Sequence, residues 1–124
     1  MSKKRYANIF IIIFFFSNCI YSQGRRLDSL INLSKNTKDT TLIKVLNEIS
    51  WEYKNSNLDS SFFFAMKALH ESKEIKNKKS ISQSYNSLGS VYQAKSMIDS
   101  ATFYHKKSLS LKLEIKDSIG IADS

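Results

Sequence analysis

Histidine, cysteine and serine are the side chains of this 124-residue chain that could carry covalent or acid-base chemistry. His70 and His105 stand 35 residues apart with no His-x-x-x-His or Glu-x-x-His partner, so the spacing that puts two metal ligands on one helix face is missing. The abundant serines never form a Gly-x-Ser-x-Gly elbow. There is no proline and only three glycines, Gly24, Gly89 and Gly120, so a Gly-rich phosphate loop has no place either. Cys19 is the only cysteine, which excludes a disulfide framework. These absences predict a chain that is not an enzyme and holds neither metal nor cofactor. The length gives one small domain.

The elements that position the remaining polar residues are helices. Leu42, Val45, Leu46, Ile49 and Tyr53 follow i, i+3, i+4, i+7, i+11 spacing, which lines one helical face. Phe62, Ala65, Met66 and Leu69 make a second stripe. Ile81, Tyr85, Leu88 and Tyr92 make a third, and Ala101, Tyr104, Ser108, Leu111 and Ile115 a fourth. Leu27, Leu30 and Ile31 mark a short helix over about 27–35 ahead of them. Asp39, Asp59, Ser80 and Asp99 stand before the periodic runs as expected helix N-caps, whose side-chain oxygens accept from free first-turn N–H groups. Three consecutive helical residues spread over about 200°. Two rings of Phe62-Phe63-Phe64 therefore pack, and Phe64 is the one left as the candidate for exposure.

The stripes repeat. Residues 59–84 align with 99–124 at an offset of 40, with ten identities that include Asp59/Asp99, Phe63/Phe103, Leu69/Leu109 and Glu74-Ile75-Lys76/Glu114-Ile115-Lys116. Upstream the offset is 39, pairing Asn47 with Asn86 and Tyr53 with Tyr92, as if one residue were deleted between Asn55 and Leu58.

The formal charge of +8 falls unevenly along the chain. Lys3, Lys4 and Arg5 precede an apolar run over 7–16 interrupted only by Asn8, and small residues follow near position 22. A basic n-region, a short apolar h-region and such a junction make residues 1–22 a secretory signal peptide. The run is too short for the roughly 20 apolar residues of a membrane span. In the alternative reading, Ser17-Asn18-Cys19 is a lipobox and Cys19 is acylated, although Asn18 stands where that pattern takes a small residue. Without the leader, 16 basic residues face 11 acidic ones, a net +5, interleaved as in Glu71, Lys73, Glu74 and Lys76. Interleaved charge describes a solvated helical surface, and with export it argues against nucleic acid as a partner.

Tyr85-Asn86-Ser87-Leu88-Gly89-Ser90-Val91-Tyr92, followed by Asp99-Ser100-Ala101-Thr102-Phe103-Tyr104 and Ser108-Leu109, resembles a tetratricopeptide repeat (TPR) of the long-repeat, exported bacterial type. Residues 42–69 fit more loosely, with Ser50 at the glycine position and Ser61 at the first alanine. The period exceeds the family's usual 34 residues, and Ser96 stands where a turn glycine is usual. The resemblance implies an all-α fold of antiparallel helix-turn-helix repeats stacked as an α-solenoid, with about five helices after the signal peptide. In that frame residues 23–40 are an N-terminal helix and linker, 41–79 the first repeat, 80–118 the second, and 119–124 the start of a truncated third.

The resemblance also implies a concave groove that binds a protein or peptide. Lys44, Asn47, Trp51, Lys54 and Asn55 would line it in the first unit, and Gln83, Asn86, Ser90 and Gln93 in the second. In the competing reading, Trp51 packs against Leu30 and Leu33. The function implied is an exported, non-catalytic mediator of protein–protein interaction. The alternative is the extracytoplasmic sensor portion of a TPR-containing histidine kinase or transcriptional regulator. Self-association is expected through the edge near Leu109 and Ile115. Membrane attachment would come only from an uncleaved signal or lipidated Cys19.

Overall fold

Continuous helical periodicity with few breakers leaves the chain only short turns. In the computed structural model the described residues are 2–122, excluding the side chains of 2, 5, 15–23, 117 and 119–122. Their backbone forms five helices: α1 (Ser2–Asn36), α2 (Asp39–Tyr53), α3 (Leu58–Glu74), α4 (Lys78–Ala94) and α5 (Ile98–Ala122). The protein is all-α, and no strand occurs among the described residues. Side-chain pairs set the helix directions. Asp59 at the start of α3 meets Lys95 just past the end of α4 at 3.1 Å, and Lys78 at the start of α4 meets Glu114 far along α5. Successive helices are therefore antiparallel. α2 packs on α3, α3 on α4 and α4 on α5; α2 also touches α4, and α1 lies against α2.

Two expected boundaries differ. The short helix expected over 27–35 is the last part of α1, which runs unbroken from Ser2 to Asn36. No turn divides it because no proline or helix-capping signal interrupts the pattern, and Gly24 has only open space around its Cα. At the other end no new helix opens at Ile119, because α5 continues to Ala122; Asp123 and Ser124 lie outside the described residues. The Cys19 lipidation reading also falls outside them, since that side chain is not described.

The expected caps move too. Asn57 Oδ1 accepts from Ser60 N–H and Asn77 Oδ1 from Ser80 N–H, both at 2.9 Å, so Asn57 and Asn77 cap α3 and α4. Asp59 and Ser80 sit inside the first turns, where an acidic Asp59 still complements the positive helix terminus. Asp39 is the first residue of α2, whose N-cap Lys38 makes no side-chain cap bond, and Asp99 lies within the first turn of α5.

The turns explain the irregular offset. After α3, Asn77 N–H bonds Ser72 O and Lys76 N–H bonds Lys73 O; after α4, Met97 N–H bonds Tyr92 O and Ser96 N–H bonds Gln93 O. Each is a Schellman closure with a left-handed residue, Lys76 at φ 52° and Ser96 at φ 60°. The turn after α2 is one residue shorter: Asn57 N–H reaches Tyr53 O, the counterpart of Tyr92 O, and no left-handed residue is used. The deletion read between Asn55 and Leu58 is thus the loss of that residue. A side chain in the left-handed region costs about 1–2 kcal/mol that glycine avoids. Ser96→Gly is accordingly expected to stabilise the fold by about 1 kcal/mol and raise the midpoint of thermal unfolding by several degrees, measured by far-ultraviolet circular dichroism.

The core follows the stripes with local changes. One cluster joins Ala65, Leu69, Leu88 and Val91, flanked by Phe62, Ile81, Tyr85, Tyr92 and Tyr104. The other joins Ile43, Leu46 and Ala68, flanked by Leu42 and Phe64. Ile43 is buried although it stands off the stripe, and Met66, on the stripe, is 41% exposed. The outward ring of the Phe62-Phe63-Phe64 run is Phe63 and not Phe64. Phe64 stacks on Tyr53 with centroids 5.8 Å apart, while Phe62 packs edge-on to Tyr92 across the α3–α4 contact.

Among the described residues seven serines are buried as well. Ser50 Oγ donates to Ser61 O at 2.8 Å and Ser61 Oγ to Ser50 O at 2.7 Å, a reciprocal clasp between α2 and α3. At the same positions the second unit has Gly89 and Ala101. Ser82 Oγ likewise donates to Ser108 O at 3.1 Å between α4 and α5, where the first unit has Ile43 and Ala68.

Candidate functional site

α2 and α4 lie side by side, and the residues of α2 turned toward α4 are polar. Trp51 and Lys54, one turn apart, form a stack, with Lys54 Nζ 3.4 Å from the centre of the indole ring. Trp51 is 60% exposed, so the reading in which it packs away under Leu30 and Leu33 fails; Leu33 is itself 45% exposed. One turn earlier, Asn47 Nδ2 donates to Ser84 Oγ of α4 at 3.4 Å. Asn47 Oδ1 is buried with no hydrogen-bond partner among the described residues.

Asn47 also borders a cavity of about 20 Å³, enough for one water molecule. Asn47, Ser50, Trp51 and Lys54 of α2 enclose it together with Ser87, Ser90 and Val91 of α4, and Ser61 of α3 lies beneath. The result is a shallow seam with an exposed indole, an ammonium over its face and, at its α4 side, the hydroxyls of Ser87 and Ser90, which donate to Gln83 O and Asn86 O one turn back. Such a surface offers stacking area, a positive charge and adaptable hydrogen bonds to a ligand.

Four of the nine residues expected to line the groove, Asn47, Trp51, Lys54 and Ser90, meet here. Lys44 is exposed on α2 one turn before Asn47, and Asn55 is exposed in the turn after α2. Gln93 is exposed near the end of α4. Gln83 borders a different, open cleft of about 310 Å³ between α4 and α5 with Lys79, Ser82, Lys112 and Ile115. Asn86 turns toward α5, where its Oδ1 accepts from His105 Nδ1–H at 3.1 Å. Ser50, Ser61 and Ser87 were not anticipated. The first two were visible only as departures from small-residue repeat positions, and Ser87 carries no signal beyond lying one turn from Ser90 and Val91.

The histidines have structural surroundings. His70 is exposed on α3. His105 packs edge-on against Gly89, where a Cβ would lie 2.6 Å from His105 Cε1, so the absent side chain at 89 makes room for the ring. Tyr92 and Tyr104 stack nearly parallel with centroids 5.3 Å apart. Partial burial, with neighbouring Tyr92, holds the Tyr104 phenol above its ordinary range, so it stays neutral and able to donate. Among the described residues no group of three or more His, Cys, Asp or Glu side chains could hold a metal ion. No helix among them is long and apolar enough to cross a membrane.

Compared with family models, characterised proteins and solved structures, the chain matches none.

Proposed function

We propose that this chain is an exported, non-catalytic tetratricopeptide-type protein. In this reading its helix pairs stack as an α-solenoid and its α2–α4 seam holds a segment of another polypeptide. The observation that carries the proposal is the exposed Trp51 under Lys54 beside Asn47 and Ser90, on two helices that occupy equivalent places in the repeat. A solvent-facing indole in a shallow seam contributes little to folding, and large exposed aromatics are the usual anchors of an interface. Export is supported by Lys3-Lys4-Arg5 ahead of a run whose Ile9, Phe10, Ile11, Ile12, Ile13 and Phe14 are all exposed in the structure. A segment of that kind suits a targeting receptor or a membrane surface better than a folded core.

Trp51 is the only tryptophan, so its emission reports the site directly. Screening an array of extended peptides against the chain should yield ligands that shift Trp51 fluorescence to the blue as they cover the ring. Trp51→Ala should weaken those ligands by about 10-fold or more, the loss of a hot-spot aromatic, while leaving helicity unchanged. Peptide affinity indifferent to Trp51→Ala would remove the seam as the binding site.

A further inference from the structure

Between the two units of the repeat the packing positions have changed. Ser50 and Ser61 stand against Gly89 and Ala101, Ile43 and Ala68 against Ser82 and Ser108, and Ala65 against His105. On the outward side of α3 and α5 the residues have not changed: Asp59, Phe63 and Lys67 recur as Asp99, Phe103 and Lys107. Spacing by four puts each trio on one helical face. All six are exposed, Phe63 at 60% and Phe103 at 53%. Close packing restrains buried side chains, and solvent restrains none. Identity kept on the exposed face while the core varied therefore marks a surface that is used. The exposure is a property of the repeat, since Phe63 stays in solvent although α4 packs back on α3.

Both trios face the same way. Lys73 of α3 and Lys107 of α5 reach the ring of Tyr85 on α4, with Nζ 5.8 and 5.5 Å from its centre. Phe62 of α3 packs on Tyr92 of α4, which stacks on Tyr104 of α5. α3 and α5 thus flank one side of α4 and, each antiparallel to it, run parallel to each other. Ser61, on the opposite face of α3 from Phe63, lies beneath the α2–α4 seam, so the trios look away from that seam.

The chemistry of this face is aromatic rings among cations. No acidic residue lies between Asp59 and Glu71 of α3 or between Asp99 and Glu114 of α5, and those stretches hold Lys67, Lys106, Lys107 and Lys112. Met66, one turn on from Phe63, is 41% exposed, and Asp59 is offset by Lys95 at 3.1 Å. A partner that meets two like stripes one repeat apart has to present the same chemistry twice, which a lipid surface does everywhere. Rings settle at the boundary of headgroups and acyl chains, and lysine stems lie beside them with the ammonium at a phosphate. An acidic polypeptide supplies the charge but no apolar layer for the rings.

We propose that the outward face of α3 and α5 docks on an anionic bilayer surface, with Phe63 and Phe103 in the headgroup boundary and Lys67, Lys106 and Lys107 against lipid phosphates. The contact lies flat on the bilayer without crossing it, and it keeps the α2–α4 seam on the aqueous side. Its opposite charges make it weaken as salt rises.

Residues 9–14 are exposed and apolar, so capture of the whole chain by vesicles does not test this face and the readout has to be local. The test uses full chains carrying Trp51→Phe with either Phe63→Trp or Phe103→Trp. They are mixed with vesicles of phosphatidylcholine, alone or with phosphatidylglycerol, whose acyl chains are brominated so that an indole is quenched only at short range. Both reporters should be quenched and shifted to the blue on phosphatidylglycerol vesicles, with little change on phosphatidylcholine alone and reversal in high salt. The unaltered chain, whose only tryptophan is Trp51, should keep its emission. Lys67→Glu with Lys107→Glu should weaken the quenching partition by about 10-fold or more, at roughly 5-fold per lysine removed. Lys106→Glu stands in for Lys107→Glu should helicity fall. Reporters left unquenched on phosphatidylglycerol vesicles, or one quenched without the other, would overturn the proposal. So would quenching that is as strong on phosphatidylcholine alone, survives the lysine changes or extends equally to Trp51.

Discussion

Leu88→Ala is expected to cost about 2–5 kcal/mol, the range for truncating a fully buried leucine whose cavity cannot collapse. Leu88 has no exposed surface, and its cluster draws on three helices: Ala65 and Leu69 from α3, Val91 from α4 itself, and Tyr104 from α5 at the margin. Collapse would require α3 and α5 to move toward α4 together, and the Schellman turns at both ends of α4 oppose it. A domain of this size is stable by roughly 5–15 kcal/mol, so the loss is a large fraction of the total. The midpoint of thermal unfolding should fall by about 8–40 °C, at roughly 4–8 °C per kcal/mol. Urea unfolding followed by circular dichroism measures it. A loss under about 1 kcal/mol would mean that the helices repack freely and that the α3–α4–α5 cluster is not the core.

Ser50→Leu is the second large effect, expected at about 3 kcal/mol. The α2 and α3 backbones approach so closely here that each serine hydroxyl reaches the other's carbonyl, at 2.7 and 2.8 Å. A leucine has to push that contact apart, and it also removes hydrogen bonds worth about 1 kcal/mol each. The control is the double change Ser50→Ala with Ser61→Ala, which keeps the close approach and removes both hydroxyls together. Each carbonyl then retains its helical N–H donor, so no buried polar group is stranded and the cost should stay near or below about 1 kcal/mol. If Ser50→Leu unfolds no more easily than that double variant, the close approach at the clasp is not a constraint on the fold.

Much of this arrangement could be read from residue order. Apolar spacing alone places α2 to α5 within a few residues, and the repeat alone pairs Tyr53 with Tyr92 and Ser50 with Gly89. The repeat also located the missing turn residue, which proved to be the left-handed position that Ser96 fills and the α2–α3 turn omits. The site was less legible. Asn47, Trp51, Lys54 and Ser90 converge, but Asn86, equivalent to Asn47 in the repeat, turns instead to His105. Repeat equivalence predicts where a residue sits on its helix. It cannot say whether a ring on the next helix will claim its amide, because His105 has its counterpart at Ala65, which has no such group to offer.

The clearest division lies in Glu74-Ile75-Lys76 and Glu114-Ile115-Lys116, identical in sequence and opposite in conformation. The first ends α3 in a turn with Lys76 left-handed, while the second lies inside α5. Local preference for these residues is helical in both places. After α3 the chain turns because α4 packs back on Ala65 and Leu69 and Asn77 caps it; along α5 no described helix packs back. The sequence by itself determined what each backbone can do locally, namely the helices, their apolar faces and the repeat, because periodicity needs no partner to be read. Tertiary structure decided which faces are used. It buried Ile43 and exposed Phe63, left Trp51 in solvent and Leu109 bare, because burial depends on which second surface reaches a side chain.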